Sequence, residues 1–278
     1  MRINAHHFNL SSSLECGQVF RWDKIGLNEY SAVLGRSIVK LKQVRNSLLI
    51  KASSPSITPS VIKAYFDLNL DLPYIYTKIG RDNNIKAAIR QYSGLRIIRQ
   101  PLWECLASFI ISTQNNIPRI RKIIEKLCQC FGEPVSDGGT VKYSFPEPGV
   151  LADLTARQLE SCGTGYRAPY LIKTARDFVD KKISLGSLKK KPYIPAKEYL
   201  MQLAGVGPKV ADCVLLFAAG KFEAFPVDVW IERVMEKLYF GGKKTTDEKI
   251  REFAGGYFGE YAGYAQQYLY YYAREKNI

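Results

Sequence analysis

Histidine is nearly missing from this chain of 278 residues: there are two, His6 and His7, side by side close to the N-terminus. They suit a solvated tail better than a metal site or a general base. No run of about 18 or more apolar residues occurs, and Met1-Arg2-Ile3-Asn4-Ala5 begins no signal-peptide core. Neither a membrane span nor secretion is expected, which leaves an intracellular protein, in cytoplasm or nucleoid for a prokaryote and nucleus for a eukaryote. Cysteines are few and scattered, at Cys16, Cys105, Cys128, Cys130, Cys162 and Cys213, mostly in apolar helical contexts, as reduced thiols are. Cys128-Gln129-Cys130 does not have zinc spacing and lacks a second Cys/His pair. No cysteine follows Cys213, which excludes a C-terminal four-cysteine iron–sulfur knot. Acidic residues are also short: 26 Asp+Glu against 40 Lys+Arg, a formal charge of +14. That excess favours a polyanionic partner, because each phosphate neutralised releases condensed counterion.

The length suggests about two domains. Residues 1 to about 95 read as strand-rich. Phe20-Arg21-Trp22, Tyr30-Ser31-Ala32-Val33-Leu34, Ser37-Ile38-Val39-Lys40-Leu41 and Ser47-Leu48-Leu49-Ile50-Lys51 are β-prone runs separated by Gly-, Asn- or Asp-bearing turns, the pattern of an antiparallel sheet. Thr58-Pro59 can open a helix. From about Leu102 helical spacing dominates, with Leu102, Leu106, Phe109 and Ile110 on one face and Ile120, Ile123, Ile124 and Leu127 on another. Lys189-Lys190-Lys191-Pro192 reads as a solvated loop. The expectation is α+β: an antiparallel-sheet domain over residues 1–98, then a helical domain over 99–278.

The chemistry concentrates in Leu203-Ala204-Gly205-Val206-Gly207-Pro208-Lys209-Val210-Ala211-Asp212-Cys213, answered by Phe225-Pro226-Val227-Asp228. Gly205-Val206-Gly207 lies between two helical segments, a hairpin of about residues 197–219. Two glycines turn the backbone tightly and leave amides bare enough to approach a phosphate. The turn delivers Lys209 onto the first turn of the second helix. A helix N-terminus, desolvation and nearby cations all disfavour an ammonium, and a free amine can attack a sugar carbon to form a Schiff base. Cys213, four residues on, shares the helix face of Lys209; it serves equally as a pocket thiol or a small core residue. Asp228 precedes an apolar helical run and suits an N-cap. A carboxylate held by backbone N–H groups stays ionised and can also stabilise an oxocarbenium-like sugar.

This hairpin with its lysine and the Phe-Pro-Val-Asp resemble the helix-hairpin-helix-GPD superfamily of base-excision glycosylases. From Cys16-Gly17-Gln18 almost to the C-terminus the chain is similar to the eukaryotic-like 8-oxoguanine DNA glycosylase/lyase branch. The resemblance implies a TBP-like antiparallel sheet followed by an all-α catalytic domain, with duplex DNA containing 8-oxoguanine as partner. It implies Lys209 as nucleophile and Asp228 as its carboxylate. Gly17 matches the glycine whose carbonyl accepts the N7–H of the lesion, Gln266 the glutamine that reads the Watson–Crick edge, and Tyr270 a stacking phenylalanine. Ser112-Thr113-Gln114-Asn115-Asn116-Ile117-Pro118-Arg119 resembles the segment that fills the space left by the flipped base. Gln114 stands where an asparagine is usual, and Asn115 and Arg119 fall at positions that hold the orphaned cytosine. Read alone, Asn115 or Asn116 could cap the next helix and Arg119 be a surface cation. Tyr166 and Arg167 match a wedge tyrosine and a cytosine-reading arginine. Gly205, Val206 and Gly207 would meet a DNA phosphate.

Two positions depart from the family pattern. Trp230 replaces a histidine that approaches DNA phosphate, and Ala273 replaces its acidic associate; Trp230 either stacks or packs internally. No metal or redox cofactor is implied, although a cation could bridge hairpin carbonyls of residues 203–207 to a phosphate. A monomer is expected. Two rival readings stay open: an alkylated-base glycosylase on the same fold, and a non-catalytic hairpin DNA-binding protein.

Overall fold

The computed structural model describes residues 1–180 and 183–277. It opens with strand β1 (Arg2–Asn4) and helix α1 (Leu10–Glu15), followed by strands β2 (Asp23–Gly26), β3 (Glu29–Leu34), β4 (Ser37–Val44) and β5 (Ser47–Ala52). These five strands form one antiparallel sheet in the order β1-β5-β4-β3-β2. Register follows the apolar alternation, with Tyr30 opposite Leu41 and Leu41 opposite Ile50. One face packs Tyr30, Val39, Leu41, Leu48 and Ile50 against Leu10 and Leu14 of α1. Ile62 and Phe66, from helix α2 (Pro59–Tyr65) and its C-cap, join that core.

Helices follow: α3 (Leu72–Ile79), α4 (Asn83–Gln91), α5 (Leu102–Ser112) and α6 (Ile117–Phe131). A second hairpin, β6 (Pro134–Asp137) and β7 (Thr140–Tyr143), interrupts them. The chain continues as α7 (Pro148–Ala152), α8 (Ala156–Glu160), α9 (Ala168–Asp180), α10 (Leu185–Lys190), α11 (Tyr193–Met201) and α12 (Pro208–Val214). It ends as α13 (Val229–Tyr239), α14 (Asp247–Phe258) and α15 (Ala262–Lys276). No helix among the described residues is long and apolar enough to cross a membrane.

Several local expectations change. Phe20-Arg21-Trp22 is irregular backbone, not strand. Its apolar alternation serves anchoring: Phe20 packs edge-on to Phe109 at 5.7 Å, and Trp22 lies against Tyr65 and Phe66. The β6–β7 hairpin was not foreseen, although Asp137-Gly138-Gly139-Thr140 carries its signal: both glycines have positive φ, +52° and +89°, as a two-residue turn requires. Lys189 and Lys190, expected in a loop, form the last turn of α10, where cations suit the helix dipole. Helix α5 is buried on nearly every side, not along one stripe.

The apolar cores do not divide at residue 98. Leu72, Ile75 and Ile79 of α3 and Ile85 and Ala88 of α4 belong to the large helical core with α5 and α15. Val135 joins Val33 and Ile38, so the second hairpin packs on the sheet face opposite α1. Gln18 fixes the crossing between the two cores. Its Nε2 donates to the carbonyls of Ser13 (2.9 Å) and Arg96 (2.8 Å), its Oε1 accepts from Ile98 N (2.9 Å), and its carbonyl accepts from Gln100 Nε2 (2.7 Å). A fully bonded buried amide of this kind specifies one backbone position. Gly17, its neighbour, is thereby held against the helical core.

Candidate active site

Between the Gly17 segment, the C-terminal end of α5 and helices α6, α12, α13 and α15 lies a cavity of about 320 Å³. Gly17, Phe109, Ser112, Asn115, Lys209, Cys213, Phe217, Asp228, Trp230, Gln266, Tyr270 and Arg274 line it. The hairpin presents Lys209. Gly205 has φ +74°, and a Cβ there would stand 2.8 Å from Tyr170 Cβ, so both backbone and space require glycine. Gly207 is different: it is the extended N-cap of α12 with open space where a Cβ would be. Only the first glycine makes the turn; the second leaves the helix end bare. Pro208 then opens α12 and Lys209 follows on its first turn.

Lys209 Nζ donates to Ser112 Oγ at 2.9 Å and lies 5.2 Å from the Phe109 ring centroid. Ser112 donates its own proton to the Phe109 carbonyl at 2.7 Å, which leaves its oxygen free to accept from the amine. Asp228 caps α13, accepting from Ile231 N at 2.9 Å. Desolvation pushes its carboxyl above the ordinary aspartate range, against the backbone N–H groups and the Lys209 charge. Burial therefore outweighs the backbone N–H groups that hold it. Cys213 is buried, and its thiol is pushed up to about 12 by desolvation, with Lys209 pulling the other way. It stands in the cavity as a neutral thiol.

The α15 side supplies an amide and an aromatic ring. Gln266 is 4% exposed; its Nε2 donates to the Pro226 carbonyl at 3.1 Å, while its Oε1 has no partner among the described residues. Burial pushes the Tyr270 hydroxyl up to about 12. Tyr268 and Tyr271 pack instead, Tyr268 on Tyr76 and Tyr271 stacked on Tyr92 at 4.1 Å. Gly17 has φ +89°, and a Cβ there would come within 3.0 Å of Arg274 Nη1 and 3.2 Å of Tyr270 Cε1. Trp230 lines the cavity, and Arg233 approaches its ring at 5.8 Å. Ala273 is buried.

Of the remaining expected residues, Asn115 lines the cavity together with its neighbour Asn116, whereas Gln114, Arg119, Tyr166 and Arg167 do not. Asn116 takes the capping role on α6, accepting from Arg119 N at 3.0 Å, and Asn115 Nδ2 donates to the Ile111 carbonyl. Tyr166 is exposed and donates toward Gln114 Oε1 at 3.2 Å. Arg167, expected to read cytosine, is buried. Its guanidinium donates to the carbonyls of Thr113, Gln114 and Thr164, so its donors are committed to the turn that carries Gln114. That turn is strained: Gln114 has φ +47°, a region asparagine enters far more readily than glutamine. Arg119 is exposed, with no side-chain bond or ion pair among the described residues. Nor is there a group of three or more His, Cys, Asp or Glu among them that could hold a metal.

Comparison with known proteins decides the family. The profile described as "8-oxoguanine DNA glycosylase, N-terminal domain" matches residues 1–106, and "HhH-GPD superfamily base excision DNA repair protein" matches 107–258. The chain is 35% identical to a probable N-glycosylase/DNA lyase of Methanothermobacter thermautotrophicus, across 100% of this chain and 97% of that protein. The chain belongs to the 8-oxoguanine DNA glycosylase branch of the HhH-GPD superfamily. It is 32% identical to the N-glycosylase/DNA lyase of Saccharomyces cerevisiae over 86% of this chain and 70% of that one. The Clostridium acetobutylicum 8-oxoguanine glycosylase/lyase, solved with DNA containing cytosine opposite 8-oxoguanine, superposes with a TM-score of 0.93. It is 36% identical, over 98% of this chain and 93% of that one.

Sequence reasoning missed several cavity residues, among them Phe109, Ser112, Phe217, Gln267 and Arg274. In the sequence Ser112 reads only as the start of a segment and Phe109 only as a helix-face residue. Arg274 was not considered. Each acquires its place through a contact distant in sequence, which no local pattern signals.

Proposed function

We propose that the protein is a bifunctional DNA glycosylase and AP lyase of base-excision repair, removing 8-oxoguanine opposite cytosine from duplex DNA. One observation carries this reading: an amine, a carboxyl and an unpaired amide oxygen, from Lys209, Asp228 and Gln266, meet in a single base-sized cavity. The family's reaction needs that set. The base is extruded from the duplex into the cavity. Gly17 offers its backbone carbonyl to the N7–H that distinguishes 8-oxoguanine from guanine. Gln266 reads the Watson–Crick edge, and Tyr270 and Cys213 bound the base plane.

Asp228, as carboxylate, stabilises the positive charge that develops on the sugar. The deprotonated Lys209 nitrogen bonds to C1′, the C1′–N9 bond breaks, and the base leaves with the electron pair and takes up a proton. The nitrogen loses a proton as the sugar ring opens to a Schiff base. Loss of a C2′ proton then expels the 3′ phosphate by β-elimination. Ser112, which accepts from Lys209 Nζ, aims the amine.

Around the cavity, Tyr166 wedges the stack, the segment that begins with Gln114 fills the vacated space, and Asn115 and Arg119 hold the orphaned cytosine. Arg167 holds the Thr113–Gln114 turn beneath them. The amides of Gly205 and Gly207 receive a phosphate, while Val206, expected to join them, already donates its N–H to the Leu203 carbonyl at 3.2 Å; a cation could bridge the hairpin carbonyls, and no other cofactor is needed. The working form is an intracellular monomer.

Duplexes carrying 8-oxoguanine opposite each of the four bases, beside one carrying 7-methylguanine, test the reading. Release of 8-oxoguanine, fastest opposite cytosine and accompanied by strand cleavage 3′ to the site, is expected. Release of 7-methylguanine without cleavage would transfer the protein to the alkylated-base enzymes. Tight binding with no release of any base would reduce it to a binding module.

A further inference from the structure

Arg274 stands at the Gly17 end of the cavity, one turn beyond Tyr270 on α15. Its Nη2 donates to the Glu15 carbonyl at 2.8 Å and reaches Glu275 Oε1 at 3.1 Å; its Nε also approaches Glu275 Oε1, at 3.3 Å. The guanidinium lies 5.7 Å from the Tyr270 ring centroid and 4.9 Å from that of Tyr271. These contacts hold the group in one place. They leave Nη1 buried with no partner in hydrogen-bonding geometry among the described residues, the Tyr270 hydroxyl being a close polar neighbour on α15. The rest of the side chain is partly exposed, but a buried N–H left unpaired is costly unless something arrives to accept from it.

Its location says what could arrive. Nη1 is 3.0 Å from the point where a Cβ on Gly17 would stand, so it borders the backbone of Gly17. 8-Oxoguanine departs from guanine at two adjacent ring atoms. N7 gains a hydrogen and becomes a donor; C8 gains a carbonyl oxygen and becomes an acceptor. Reading both changes takes an acceptor and a donor side by side.

We propose that Arg274 is a specificity-determining residue whose Nη1 donates to O8 of the lesion, while the neighbouring Gly17 carbonyl accepts from N7–H. The inference rests on the assignment of 8-oxoguanine as substrate and deepens it. An undamaged guanine presents C8–H, which has no lone pair to offer, and would leave Nη1 unpaired. The lesion is thus selected by two contacts of opposite polarity. The second unpaired atom in the cavity, Gln266 Oε1, complements the N–H donors of the base's far edge.

The test is equilibrium binding in a Lys209→Gln background, which removes chemistry, using cytosine-opposed duplexes. Four probes are needed: 8-oxoguanine, 8-thioguanine (N7–H kept, a poor acceptor at C8), guanine, and a tetrahydrofuran abasic analogue. Arg274→Leu should weaken the 8-oxoguanine duplex by about tenfold to a hundredfold, the scale of a charge-assisted bond. The abasic duplex, which has no base to read, should change less than about twofold by the same reasoning. The advantage of 8-oxoguanine over 8-thioguanine should vanish in the variant. Arg274→Met, which keeps the stem on the tyrosine rings, gives the same readout should the leucine variant fail to fold.

Equal weakening on lesion and abasic duplexes would mean a phosphate contact or lost fold, and would overturn the proposal. So would an intact preference for 8-oxoguanine over 8-thioguanine, which would reduce Arg274 to a support for Gly17. A parent protein that binds 8-oxoguanine no better than guanine would overturn the substrate assignment, and the proposal with it.

Discussion

At the residue scale, Asp228 has to cap a helix and hold charge in the same cavity wall. The cap alone would be served as well by asparagine. The charge is opposed by desolvation, which raises its pKa above 3.8. A carboxyl whose folded-state pKa is raised binds its proton in the folded state through a window where the unfolded chain has lost it. Its stabilising contribution is therefore present below that window and lost as pH rises through it. Asp228→Asn should accordingly be at least as stable as the parent at pH 7 by urea unfolding, while base-excision turnover falls about 10²- to 10³-fold. A less stable Asn variant would contradict this conflict between stability and function. The residues legible in advance share one property: their partners are near in sequence. Lys209 follows its glycine turn and Asp228 precedes its helix. Ser112 and Arg274 escaped because their partners, Lys209 and Gly17, are distant along the chain.

At the scale of elements, the hairpin depends on a carboxylate that faces away from the chemistry. Asp212, on α12 between Lys209 and Cys213's turn, is fully buried. It accepts from Tyr193 Oη at 2.6 Å, Lys197 Nζ at 2.8 Å and Arg251 Nε at 2.9 Å. Those donors lie on α11 and α14, so one side chain ties three helices and sets the angle at which α12 presents Lys209. Desolvation lowers the pKa of Lys197, against the Asp212 charge. Removing the carboxylate would leave Lys197 without its anion in low dielectric and Arg251 with only Asp247, at 3.5 Å. Asp212→Ala should cost about 3–5 kcal/mol of stability by denaturant titration; a loss below about 1 kcal/mol, typical of an exposed pair, would contradict the tie. The hairpin was legible because glycine, proline and apolar spacing are local. α10 was misread because three lysines look like solvent-facing loop while its anchor, Leu188, is a single buried residue.

At the scale of the whole molecule, the site exists only when both cores are in place. Gly17 comes from the segment that leaves the sheet domain's first helix, Ser112 from the end of the buried central helix, and Lys209, Asp228 and Gln266 from three further elements. Sheet and helices were foreseeable as classes from alternation and helical spacing. The apolar stripes of α3 and α4 state only that they are buried; the structure packs them into the helical core. The +14 charge gives the assembly its polyanionic partner, and the cavity gives that partner's base a place to go. Borohydride trapping on an 8-oxoguanine:cytosine duplex, with Lys209→Gln alongside, reads this assembly most directly. The account predicts a covalent protein–DNA adduct that maps to Lys209 and is lost in the variant. Free 8-oxoguanine without an adduct, or an adduct that persists in Lys209→Gln, would contradict it.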